Sequence, residues 1–369
     1  MPIRQRSQGI WQVSIELPPD PMTGKRRRQY RDVKGSKRTA QRVLAAMTLE
    51  SDKLKSTSQT FDELLKLWIE AAQIRESTAA GYRSKIALYI SPALGKVPLN
   101  QLTGRHLDAL YGDLKERGLA PATIKQTHII IHKSLGQALK WGWIEKNPAL
   151  LASPPGLTSH EMISPTPEQV RTIVADALES SPAIARIIAL ASLTGLRRGE
   201  LLGLKWSDLD GEKIHVRHSL AYTPRAGVHL TSTKTGKVRT VIVGKSALDI
   251  VASQQSELIE GCERSGFERC QDPYLFYGDV VGEVPVHPDT PSKAFRRIAD
   301  QNGWRDLHFH SLRHFAATTL IGAGVDIRTV SGRLGHANAY TTLKIYAHAV
   351  PEKDREAADI LGAALALPH

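Results

Sequence analysis

The sequence predicts a multidomain protein, mainly α with small β elements: a small basic β-hairpin-plus-helix unit at residues 1–55, an all-α domain at 60–150 and a mixed α+β domain at 166–369. Three observations predict this division. A period-two apolar pattern sits in a basic N-terminal stretch, helical periodicity takes over after a polar linker, and β-branched, turn-punctuated sequence lies between helical patterns beyond a proline-rich break. The length of 369 residues agrees, since domains run to roughly 100–200 residues each.

Trp11-Gln-Val-Ser-Ile-Glu-Leu17 alternates apolar and polar residues, Pro18 to Gly24 supplies turn residues, and Lys25 to Val33 returns as a second strand. Ser36 to Leu54 carries Val43, Leu44, Met47 and Leu54 at helical spacing, so a single helix packs on that hairpin. Lys55-Ser-Thr-Ser-Gln59 is a polar linker, and Thr60-Phe-Asp-Glu63 after it has the capping-box pattern that opens a helix. Phe61, Leu64, Leu65 and Trp68 fall on one face of it. A further helix from Pro121 places Ile124, Ile131, Leu135 and Leu139 together. Leu151 to Pro167 holds Pro154, Pro155, Gly156, Pro165 and Pro167 and cannot continue a helix. Thr166-Pro-Glu-Gln169 starts the next one, Ala183 to Leu193 is apolar and helical, Lys213 to Val243 reads as a small sheet, and helical patterns run from Pro291 to the end.

The charge narrows the class of partner. Lys plus Arg number 49 against 37 Asp plus Glu, a formal net charge of +12, which favours a polyanion and above all nucleic acid. Residues 1–42 concentrate it, with eleven Lys or Arg facing Glu16, Asp20 and Asp32. A β-ribbon of this size fits the DNA major groove, with Arg26, Arg27 and Arg28 as contacts; the competing reading of the same triple is a solvated charge run or a flexible arm, which could still contact phosphates. The two cysteines, Cys262 and Cys270, supply neither a disulfide framework nor a Cys-rich zinc module, which suits a reducing cytoplasm. The apolar run Ile184 to Leu193 is broken by Arg186 and falls far short of the ~20 residues that cross a bilayer. Met1-Pro-Ile-Arg-Gln-Arg6 has no apolar run behind its charges and does not read as a secretory signal, so the expected location is the bacterial cytoplasm or nucleoid.

Four clusters carry chemistry. In Thr194-Gly-Leu-Arg-Arg-Gly-Glu200 a Gly-marked turn ends one helix and sets Arg197 at the start of the next, where Glu200 at i+3 can orient the guanidinium for a bidentate grip on phosphate. In isolation such a pair is an ordinary surface ion pair. Thr231 to Val243 reads as strand, tight turn and strand with Lys234 at the hairpin tip, a candidate proton donor to an alkoxide leaving group, with Lys237 competing. His310-Ser-Leu-Arg-His314 puts His310, Arg313 and His314 on neighbouring helical surfaces. The i, i+4 histidines match zinc spacing, but the HExxH glutamate is missing and Arg313 would adjoin the metal, so no metal is expected. Leu334-Gly-His336 sets His336 on a Gly-marked turn, with Tyr346 ten residues later on a helical pattern; a phenol of pKa near ~10 needs a neighbouring base or cations to attack, and alone Tyr346 reads as a core or interface aromatic.

Together these residues supply a phenol, cations for non-bridging oxygens and a proton donor, which suits phosphoryl transfer on a phosphodiester without a metal. Through Thr194-Gly-Leu-Arg197, Lys234, His310-x-x-Arg313, Leu334-Gly-His336 and Tyr346 the chain resembles the tyrosine recombinase family of phage-type integrases. The resemblance implies an arm-type DNA-binding unit at 1–55, a helical, SAM-like core-binding domain at 60–150 and a tyrosine recombinase catalytic domain at 166–369. It implies that Arg197 and Arg313 clamp the scissile phosphate, His310 assists proton transfer, His336 binds a phosphate oxygen, Lys234 protonates the departing 5′-oxygen and Tyr346 is the nucleophile. It further implies double-stranded DNA with core and arm sites, a homotetramer formed on that DNA through a Holliday junction, no cofactor, and room for a host DNA-bending protein and an excision factor. The apolar tail residues Ile360, Leu361, Leu365 and Leu367 fit docking on a neighbouring subunit or on their own domain. Two rival functions remain in view: a non-catalytic DNA-binding regulator, for which Tyr346 is irrelevant, and a relaxing topoisomerase of the same phosphotyrosine type.

Overall fold

The computed structural model describes residues 2–17, 19, 25–56, 59–157, 163–233, 236, 238–335, 359 and 363, with 49–56 as backbone alone. The chain divides into two compact units, Met1–Ser159 and His160–His369.

The first unit begins with an antiparallel sheet in the order β1-β2-β3, from Ile3–Ser7 (β1), Ile10–Leu17 (β2) and Arg27–Lys34 (β3). The period-two pattern buries Val13, Ile15 and Val33 against Ala40 and Met47 of α1 (Lys37–Ser56). The sequence predicts two strands here, and β1 is a third, pairing Ile3 with Val13 and Arg4 with Gln12. Four of its five residues are exposed, so it carries no apolar alternation to read. Strand pairing also splits the arginine run. Arg28 lies opposite Glu16 and donates to it at 2.6 Å, Arg27 lies opposite Leu17, and Arg26 precedes the strand.

Five helices follow: α2 (Phe61–Ala71), α3 (Glu76–Lys85), α4 (Ser91–Leu94), α5 (Gly104–Glu116) and α6 (Pro121–Lys140), with a π-helical turn at Ile86–Ile90. Thr60 N donates to Glu63 Oε2 at 2.7 Å and Glu63 N to Thr60 Oγ1 at 3.4 Å, the reciprocal cap that starts α2. Phe61, Leu64, Leu65 and Trp68 are buried with Leu107, Leu110 and Ile131. On α6, Ile124, Ile131 and Leu135 join them, but Leu139 is 42% exposed and Ala138 takes the inward position. At 3.6 residues per turn the stripe passes from 131 and 135 to 138, and the expected 139 has rotated outward.

The second unit comprises α7 (Pro167–Ser180), α8 (Pro182–Thr194), α9 (Arg198–Leu202), β4 (Leu209–Asp210), β5 (Lys213–Val216), β6 (His218–Thr223), β7 (Gly227–Ser232), β8 (Arg239–Ile242), α10 (Lys245–Ser265), α11 (Asp289–Gln301), α12 (Ser311–Gly322) and α13 (Ile327–Leu334). The helix α8 is apolar nearly all round because α7, α10, α11 and α12 all pack on it. The strands form two antiparallel sheets, β4-β5-β8 and β6-β7. This corrects the hairpin expected around Lys234: β7 pairs with β6, β8 pairs with β5, and the strands flanking Lys234 belong to different sheets. Turn residues look alike in a hairpin and in a crossover; here tertiary packing chooses the partner. Strand β6 lies against glycines of α9, where a Cβ on Gly199 would stand 2.5 Å from Leu220 O. No helix among the described residues is long and apolar enough to cross a membrane.

Candidate active site

The site is assembled on the end of α8. Gly195 caps that helix with φ +65°, a left-handed conformation that favours glycine, and a Cβ there would meet Leu334 Cδ2 at 2.5 Å and Ala316 Cβ at 3.1 Å. Helices α12 and α13 therefore close directly on the turn. Leu196 buries, and Arg197 takes the N-cap position of α9.

Glu200, one turn into α9, is only 1% exposed and accepts four hydrogen bonds. Two come from Arg197, from its backbone N at 3.0 Å and its Nη1 at 2.8 Å. Two come from Arg239 at the start of β8, from Nη1 at 3.1 Å and Nη2 at 2.6 Å. Burial pushes the Glu200 carboxyl up, but the hydrogen bonds and charge of Arg239, then the backbone and side-chain hydrogen bonds of Arg197, outweigh it and hold the group below the usual carboxylate range. Glu200 is thus an ionised hinge between two guanidiniums.

Arg313, in the first turn of α12, is 4% exposed. It donates through Nη1 to Gly195 O at 2.8 Å and through Nη2 to Leu334 O at 2.5 Å. Both partners are carbonyls, and no carboxylate among the described residues forms a salt bridge with it. Burial first, then the charge of Arg197, push its guanidinium down to about 9. His310 sits at the N-cap of α12 and is exposed, its ring meeting that of His314 edge to face at 5.0 Å. Among the described residues His314 Nδ1 is buried without a hydrogen-bond partner, and burial, then Arg313, lower its pKa below the ordinary histidine value. Beside His310 a cavity of about 420 Å³ is lined by Arg198, Arg296 and His308.

The C-terminus of α13 completes the frame. Gly335 is left-handed at φ +66°, and its carbonyl accepts Arg197 Nη2 at 2.8 Å. Arg239 Nε donates to Arg333 O at 3.0 Å, and Arg333 Nη1 returns to Ile242 O at 2.7 Å, so α13 and β8 are cross-latched. A Cβ on Gly335 would lie 2.9 Å from Arg239 Nη1.

The structure brings Arg197, Glu200 and Arg313 into one buried cluster and sets His310 at its edge. Lys234, His336 and Tyr346, like the competing Lys237 and the tail at Ile360, Leu361, Leu365 and Leu367, lie outside the described residues. Arg26, Arg27 and Arg28 belong to the other compact unit and lie on or beside β3. Sequence reasoning missed Arg239, whose place depends on the β5–β8 pairing; its only sequence signal is its position five residues after Lys234 at the start of a β-branched run. Among the described residues no group of three or more His, Cys, Asp or Glu is placed to hold a metal ion. Among the described residues three guanidiniums surround one ionised carboxylate in a largely dry site, an excess of positive charge that calls for an anionic guest.

A family model described as the phage integrase family matches residues 165–353, more than half of the chain. The chain belongs to the phage integrase family. A second model, the phage integrase N-terminal SAM-like domain, matches residues 60–115. Integrases of this family are DNA strand-exchanging enzymes. The chain is 26% identical over 369 residues to the ICEBs1 integrase of Bacillus subtilis (strain 168), covering 98% of this chain and 99% of that relative. Its fold is similar to that of the Tn1549 transposon integrase in complex with transposon right end DNA, with a TM-score of 0.69 and 21% identity over 82% of this chain and 100% of that one. It is also similar to a lambda integrase in a tetramer bound to a Holliday junction, with a TM-score of 0.60 and 20% identity over 92% of this chain and 96% of that one.

Proposed function

We propose that this integrase is a site-specific recombinase that cuts and rejoins DNA through a 3′-phosphotyrosine intermediate and a Holliday junction, integrating a phage or other mobile element and excising it by the reverse reaction. The observation that carries the reading is the excess of guanidinium over carboxylate around Glu200, with Arg313 buried among carbonyls and lacking an anionic partner among the described residues. A scissile phosphate supplies that anion, and its two non-bridging oxygens can accept the N–H groups of Arg197 and Arg313 that are left over from their contacts with Glu200 and the carbonyls.

In this reading Tyr346 Oη attacks the phosphorus and forms the O–P bond to the 3′-phosphate as the P–O5′ bond breaks. His310 assists removal of the phenolic proton, His336 binds a phosphate oxygen, and Lys234 protonates the departing 5′-oxygen. The phosphotyrosine keeps the energy of the broken diester, so a 5′-hydroxyl from a partner duplex reverses the attack without ATP. Double-stranded DNA is the partner at core and arm sites. A homotetramer assembles on it, as the lambda integrase does on a Holliday junction; a host DNA-bending protein and an excision factor are the further partners this reading allows. The basic sheet at 1–55 serves the arm sites, the helical domain at 60–150 and the catalytic domain at 166–369 the core sites, in the cytoplasm or nucleoid of a bacterium.

The test is a plasmid pair carrying the DNA that flanks the element. A recombinase yields a stable recombinant between two defined sites. Relaxation of any supercoiled plasmid without a recombinant points instead to a topoisomerase, and binding with neither product points to a regulator.

A further inference from the structure

Arg239 has no role in the chemistry just described, yet it commits more of its side chain to the site than Arg197 does. Its side chain is 11% exposed, and its guanidinium grips both oxygens of Glu200 and ties its Nε to Arg333 O at 3.0 Å. It has little left with which to reach a substrate. Arg197 is the less committed cation, with 22% of its side chain exposed, one guanidinium nitrogen on Glu200, one on Gly335 O and Nε outside both contacts.

We propose that Arg239 is a positioning residue that supplies the counter-charge of Glu200, so that Arg197 is oriented by the carboxylate without being neutralised by it. Glu200 has to be close to Arg197 to fix its fork, but a buried carboxylate with a single cationic partner would cancel that partner's charge at low dielectric. With Arg239 taking the bidentate face, the carboxylate is balanced and the charge of Arg197 is available to the phosphate. The cluster then holds two positive charges in excess; removal of Arg239 leaves one, and removal of Arg239 together with the charge of Glu200 restores two. This role rests on the strand-exchange reading, and it has a consequence that a scaffold role for Arg239 does not.

The experiment uses full-length protein and nicked duplexes from the DNA flanking its gene, with wild-type adduct first locating the scissile linkage. Rates of adduct formation are then compared on an ordinary phosphate and on a methylphosphonate at that linkage, in which a methyl group replaces one charged oxygen. On phosphate Arg239→Met is expected to slow the reaction about ten- to a hundredfold, approaching the effect of removing one anion-stabilising donor. On the neutral methylphosphonate the loss should be less than about threefold, because the guest brings less charge to stabilise. Arg239→Lys keeps the charge and should hold the phosphate-to-methylphosphonate ratio near wild type, and Glu200→Gln added to Arg239→Met should recover part of the lost phosphate rate. The ratio is taken within one preparation, so partial unfolding cancels from it. An equal loss on both linkages, or a double variant no faster than Arg239→Met, overturns the inference and leaves Arg239 as scaffold. No adduct from wild type on any flanking duplex overturns the strand-exchange reading itself and the inference with it.

Discussion

Arg197 and Arg313 donate to neighbouring carbonyls of one turn: Arg197 Nη2 to Gly335 O at 2.8 Å and Arg313 Nη2 to Leu334 O at 2.5 Å. The two guanidiniums, carried by helices distant in sequence, are thereby indexed to the same end of α13. His336 follows that turn directly in the chain. The two guanidiniums therefore share a single anchoring point.

Gly335→Ala tests the anchor. The left-handed φ of +66° costs a Cβ-bearing residue about 1–2 kcal/mol, and the new methyl would also displace Arg239, whose Nη1 stands 2.9 Å from its position. We expect a loss of about that size in urea unfolding, with strand cleavage falling much further than DNA binding. Cleavage and binding that fall together would locate the effect in folding alone.

An anion should stabilise the protein. Burial disfavours the Arg313 cation in the fold, as its depressed pKa of about 9 reports, and phosphate-like charge in the site relieves that cost. Sulfate or a short duplex should raise the melting temperature by about 2–4 °C per kcal/mol of binding energy, and Arg313→Gln should lose most of the rise with sulfate. Equal rises in both proteins would place the anion elsewhere.

Acid should unfold the protein in two windows. His314 is depressed below 6.5, so on acidification the unfolded chain takes up its proton first; the neutral ring's contribution is complete above 6.5 and is lost as pH falls through the lower folded value. Glu200 is depressed below 4.5 and has the same sign in a more acidic window. Urea unfolding from pH 8 to pH 4 should show His314→Phe flattening the first slope and Glu200→Gln leaving it unchanged.

Arg26, Arg27 and Arg28 replaced together by Ala should weaken DNA binding and flatten its salt dependence by about 0.9 in the log–log slope for each phosphate no longer neutralised. Because Arg28 is engaged with Glu16 at 2.6 Å, Arg28→Ala alone should change the slope less than Arg27→Ala. An unchanged slope in the triple variant would mean that none of the three touches a phosphate.

What the sequence made legible was local. The Thr60–Glu63 cap, the stripe Phe61, Leu64, Leu65 and Trp68, and the Arg197–Glu200 pair at i+3 all follow from helix geometry within a few residues. What it hid depends on pairing at a distance. The partner of β8 is β5, which puts β7 and β8 in different sheets and brings Arg239 onto Glu200. Likewise β1 is an exposed, charged strand whose register comes from its neighbour and not from its own periodicity. The burial of Arg313 was equally illegible, because the carbonyls that receive it belong to the ends of α8 and α13.

The most direct measurement is covalent trapping. Purified protein is incubated with nicked duplexes from the DNA flanking its gene and resolved on a denaturing gel, wild type beside Tyr346→Phe. A protein–DNA adduct in wild type that disappears in Tyr346→Phe, with site binding retained, is the predicted result. An undiminished adduct in Tyr346→Phe would exclude that tyrosine as nucleophile, and tight, salt-sensitive binding without any adduct would contradict the phosphotyrosine mechanism.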